Sequence, residues 1–87
     1  MAQWVVVEEF EDRLRPIERF EGTVVEARRR LYETACTHKF SEGLQQRRRE
    51  VFRVHDDMYF VEVKGGLGTY RLRYWLAERV WGTEAAS

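Results

Sequence analysis

The stretch Arg48–Trp75, RREVFRVHDDMYFVEVKGGLGTYRLRYW, decides the fold, because hydrophobic alternation is strict around a short Asp56–Asp57 turn and resumes after Gly65–Gly68. Phe52 and Val54, then Tyr59, Val61 and Val63, then Tyr70, Leu72 and Tyr74 fall at period two. That pattern predicts three antiparallel strands sharing one buried face. A two-residue turn at Asp56–Asp57 and a hairpin loop at Gly65–Gly68 then set the residues of the opposite face. Arg53 is expected opposite Phe60 and Phe60 opposite Arg73, beside a row of His55, Met58 and Trp75, with Glu62 opposite Arg71.

Upstream, Thr23 followed by Glu26 is a capping box, and Val24, Ala27, Leu31 and Ala35 form one helical stripe widened by Val25, Tyr32 and Cys36. The spacing predicts a helix from Thr23 to about Lys39, stopped by Ser41, Glu42 and Gly43, with Lys39 near the negative end of its dipole. Trp4–Phe10 is rich in β-branched residues and reads as a strand. Glu11–Gly22 contains Pro16 and Gly22, and Ile17 and Phe20 continue the helical period, so a short turn feeding the helix is expected there. Leu76–Trp81 suits either a short helix or an extension of the last strand.

The predicted fold is α+β in the order β-α-β-β-β, one helix on one face of a four-stranded, mostly antiparallel sheet. One parallel contact by the first strand is expected, because a helical crossover returns the chain in the same direction. At 87 residues the chain holds a single domain, placed at 1–81, with 82–87 as a flexible tail.

Fifteen basic and fifteen acidic residues cancel, which argues against a general coat for nucleic acid or anionic membrane. Thirteen of the basic residues are arginine, the side chain suited to planar, bidentate and stacked contacts. The single Cys36 fits a reducing compartment, and with no secretory pattern at the start a cytoplasmic location is expected.

Catalytic and metal chemistry find little support. Cys36 and His38 are two apart on a helix and point in opposed directions, so no metal or cofactor is expected, and Cys36 reads as a small apolar residue. Gly65–Gly68 lacks a phosphate-loop pattern and a following helix; a hairpin loop explains it. Of the two arginine triplets, Arg28–Arg30 spreads around the helix, with Arg28 expected to find an acidic partner, and Arg47–Arg49 could form a basic rim with Lys64. No nucleophile, base and orienting group can be matched, so an enzyme is not expected.

The sheet face opposite the helix is therefore the candidate site, with Arg53, His55, Met58, Phe60, Arg71, Arg73 and Trp75 as its residues. Arginine and aromatic residues are the types enriched at interface centres. The expected function is a small protein-interaction module, regulatory or inhibitory in kind, whose partner is a protein or a second copy of the chain. The alternative is a nucleic-acid-binding domain stacking bases on Phe60 and Trp75.

Overall fold

The computed structural model describes residues 1–40 and 46–83. Its elements are β1 (Ala2–Phe10), β2 (Arg13–Gly22), α1 (Val24–Thr37), β3 (Gln46–His55), β4 (Met58–Gly65) and β5 (Gly68–Glu78). The five strands form one sheet in the order β2-β1-β5-β4-β3, and every neighbouring pair is antiparallel. The class is α+β as predicted, with one more strand than expected and with no parallel pair among the described residues.

The additional strand is β2, in the segment read as a turn. Pro16 is tolerated because β2 is an edge strand, where a missing N–H can face solvent instead of breaking a ladder. The β1–β2 register shifts between Val6 and Val7, where Val6 pairs with Glu18 and Val7 with Pro16. Ile17 and Phe20 do pack against the core, but from a strand, so their helical spacing with Ala27 is coincidental. This hairpin places β1 inside the sheet and carries the crossover from one edge to the other. That removes the expected parallel contact.

Thr23 caps α1, its hydroxyl accepting from the Glu26 amide at 3.2 Å. The helix closes at Thr37, two residues short of Lys39, with His38 extended as its C-cap; Ser41–Gly43 lie outside the described residues. Its last carbonyls are held from β3 rather than by Lys39: the Arg49 guanidinium donates to Ala35 O at 2.8 Å and to His38 O. Ala27, Leu31 and Ala35 are fully buried against Val6, Val61, Val63, Leu72 and Tyr74. Each large apolar side chain so buried contributes about 1.5–3 kcal/mol. Val25 is 76% exposed and lies outside the stripe, being 200° around the helix from Ala27, while Val24 and the flanking Tyr32 stay half-exposed.

In the meander, β4 and β5 pair as expected, with Met58 opposite Trp75, Phe60 opposite Arg73 and Glu62 opposite Arg71. Gly65 pairs with Gly68 across Gly66–Leu67, and Gly68 takes a φ of 152°, which favours glycine. The β3 register differs by one residue. An irregularity between Arg53 and His55 inserts Val54 and sets Phe52 opposite Phe60 and Arg53 opposite Tyr59. Val51 therefore faces the helix, and Phe52 and Val54 are 46% and 56% exposed instead of buried.

Leu76–Glu78 continues β5, so the first half of the Leu76–Trp81 segment is strand extension rather than helix. The Arg79 amide then donates to Gln3 O at 2.8 Å, and residues 84–87 of the expected tail lie outside the described residues. No helix among the described residues is long and apolar enough to cross a membrane.

Candidate functional site

Strand alternation aims Val7, Phe60 and Trp75 away from the helix, because Val6, Val61, Tyr74 and Leu76 beside them are buried beneath it. Cross-strand partners share a face, so the registers assemble this outer surface row by row. One row runs Pro16, Val7, Trp75, Met58 and His55 across the whole sheet. Beside it runs Leu14, Glu9, Arg73, Phe60 and Phe52. On the other side, Arg19, Val5 and Ala77 continue it over the β2 half.

The result is an apolar band across the middle of the face. Val7 is buried within it, Trp75, Met58 and Phe60 are half-buried, and Phe52 and Leu14 lie open at its ends. The Phe52 and Phe60 rings stand 6.0 Å apart with their planes tilted by 32°. The Trp75 indole N–H is buried without a hydrogen-bond acceptor among the described residues. Among those residues no element lies over the band.

Six of the seven expected site residues meet on this face; Arg53 does not. The insertion of Val54 turns Arg53 to the helix side at the exposed β3 edge, opposite Tyr59. Phe60 is thus flanked by Arg73 and the Phe52 ring, not by two guanidinium groups. His55 keeps its place opposite Met58, and its Nδ1 accepts from the Asp57 amide at 3.2 Å, which ties the ring into the turn.

The two arginines that remain are already matched. Arg73 reaches Glu9 at 3.1 Å and Arg71 reaches Glu62 at 2.9 Å, each directly across a strand pair. All four groups are partly solvated, so each pair contributes at most about 1 kcal/mol to stability. Their larger effect is on the surface: the two guanidinium groups nearest Phe60 are neutralised within the chain.

The other arginines are distributed as structure demands. Arg28 has the acidic partner expected of it, Asp57 at 3.0 Å from the β3–β4 turn. Arg30 joins Glu18 and lies over the Phe20 ring at 4.7 Å. Arg48 pairs with Glu50 at 3.1 Å, and Arg49 turns inward beneath the helix end, so the second triplet forms no single basic rim.

Sequence reasoning missed a buried polar joint beneath that helix end. Tyr74, fully buried, donates its hydroxyl to Glu8 at 2.9 Å, and His38 Nδ1 lies 3.0 Å from the same hydroxyl and 3.2 Å from Glu8. Burial first, then the adjacent Glu8 charge, pushes the Tyr74 hydroxyl well above its ordinary value, with Arg49 pulling the other way. The phenol therefore stays protonated and available as a donor. The signal for this joint was the alternation of Trp4, Val6, Glu8 and Phe10, which puts a carboxylate in an apolar series. Its geometry fastens β1, β5, α1 and β3 together.

Among the described residues no three His, Cys, Asp or Glu side chains converge as a metal site would need. Cys36 is half-buried on the helix, away from the outer face. Compared with models of known protein families, with characterised proteins and with solved structures, the chain matches none.

Proposed function

We propose that the chain is a non-enzymatic protein-interaction module that binds through the sheet face opposite its helix. The observation that carries this reading is the band of Trp75, Met58, Phe60 and Phe52 around the buried Val7, contiguous across the sheet and with no element over it among the described residues. A continuous apolar surface of this kind is costly to leave in water and marks a binding site. The ion pairs of Arg71 with Glu62 and Arg73 with Glu9 favour a protein over a nucleic acid, because phosphate would have to displace a carboxylate at each arginine. The aromatic rings meet Phe52 and Met58 rather than a row of free cations.

The test is affinity capture with the wild-type chain and with the doubly substituted Phe60→Ala, Trp75→Ala variant, each checked for native circular dichroism. A partner held by the wild type and lost by the variant is the expected result. Raising salt from about 50 to 200 mM should weaken that complex less than tenfold, whereas phosphate contacts lose roughly a thousandfold or more. Retention of every partner by the folded variant would move the function elsewhere on the molecule.

A further inference from the structure

We infer that the occupant of the outer face is a second copy of this chain, the two sheets stacking about a two-fold axis. The inference rests on the reading of that face as a protein-binding surface and adds the identity of the partner.

Shape is the first argument. The face is a sheet surface with β2 and β3 as its edges, and the apolar band crosses it from Pro16 to Phe52. Sheets stack on sheets at about 10 Å, side chains of the two inner faces interdigitating, so the natural complement of such a surface is another sheet. Five strands about 4.8 Å apart and roughly 25 Å long offer on the order of 600 Å² in projection, and side-chain relief raises the accessible area. A specific interface takes about 800 Å² from each partner. One copy of the face is close to one side of a standard interface.

Charge is the second. In a two-fold interface every surface element meets the same surface, so a face with a net charge repels itself. Here Glu9 with Arg73 and Glu62 with Arg71 form matched pairs along one side of the band. A strongly acidic or basic partner would find no excess of the opposite sign there. A second copy meets alternating carboxylate and guanidinium groups that can exchange partners across the axis without net repulsion. The β1–β2 hairpin supplies Pro16, Val7 and Val5 on one half, and β4 with β3 supplies Met58, Phe60 and Phe52 on the other. Both halves of such an interface are thus present in one chain.

Sedimentation of the purified chain at about 100 μM, far above the dissociation constant of a specific interface, reads the mass directly. The expected result is a dimer whose dissociation constant rises at least about thirty-fold in Phe60→Asp, as loss of an interface anchor does. Phe52→Asp, at a site open enough that folding is safe, should weaken it in the same direction. A wild-type dimer that persists unchanged in both folded variants overturns the inference, because the copies then meet elsewhere. A wild-type monomer that captures a different protein or a single-stranded oligonucleotide, and loses it on Phe60→Asp, also overturns it. With a protein captured, the broader reading of the face survives. A wild-type monomer whose binding is indifferent to both substitutions removes the inference and that broader reading together.

Discussion

The Tyr74 hydroxyl donates to the Glu8 carboxylate at 2.9 Å between two central strands, both residues at most 4% exposed. Removing the hydroxyl leaves Glu8 buried with one donor fewer. Tyr74→Phe should therefore destabilise the fold by about 1–3 kcal/mol in urea unfolding. A change below about 0.5 kcal/mol would mean the pair is not formed in solution.

The same pair sets an alkaline limit. In the folded chain the Tyr74 proton is retained above its ordinary value of 10.0, whereas the unfolded chain releases it there. Above that pH the unfolded state binds fewer protons, so stability is full below about pH 10 and falls as pH rises beyond it. Wild type and Tyr74→Phe, compared from pH 8 to 11.5, should differ by a constant amount at first and converge above about pH 10. Parallel curves throughout would contradict the burial of a protonated phenol.

Arg49 closes the helix from a neighbouring strand, reaching both Ala35 O and His38 O with one planar group. Lysine cannot reproduce that fork. Arg49→Lys should cost about 1–3 kcal/mol and speed amide exchange in the last helical turn, including the His38 amide bonded to Thr34 O. Exchange accelerating uniformly along α1 would indicate general loosening instead of a lost cap.

The β3 register can be read from a pair of substitutions. Val51 packs on the core and Phe52 does not, so Val51→Ala should cost on the order of 1–3 kcal/mol. Phe52→Ala, in the monomer, should cost less than about 1 kcal/mol despite the larger side chain lost. The reverse order would restore the register with Phe52 beneath the helix.

Trp75 offers a test in the opposite direction. Its indole N–H is buried without an acceptor among the described residues, and a buried unpaired donor costs about 1–3 kcal/mol. Trp75→Phe keeps an aromatic ring and removes that donor. Relief of that donor should offset the smaller ring, so the monomer should lose less than about 1 kcal/mol in thermal unfolding, whereas a loss above about 3 kcal/mol would exceed what the smaller ring explains and point to a partner for the N–H.

The sequence exposed the meander and the helix because each carries its own local signal. Thr23 and Glu26 mark the start of α1, and the glycines at 65, 66 and 68 pin the β4–β5 register, so Phe60 and Arg73 meet as expected. The β3 register slipped because a single inserted residue, Val54, leaves no trace in an alternating pattern yet reverses the side chains from Arg48 to Arg53. Arg53 consequently dropped out of the candidate face and Phe52 entered it. Strand β2 was hidden by Pro16, whose meaning depends on whether a strand lies at an edge, and that is a property of the finished sheet. The joint of Glu8, Tyr74, His38 and Arg49 joins four elements far apart in the chain, and no local window contains it.

The strand order has a consequence for how the molecule is made. β1 and β5 are neighbours in the middle of the sheet, with Val6 against Leu76, although β2, α1, β3 and β4 all lie between them along the chain. Until β5 is in place, the β1–β2 hairpin and the β3–β4 hairpin share no ladder and meet only through α1, each showing an unsatisfied inner edge. The seam between them is also where loop closure is most demanding, so assembly waits on the longest-range contact. On the ribosome the sheet cannot zip from one end. It must be completed by a keystone strand inserted last, and the interval before that insertion is when the chain is most open to pairing with another molecule.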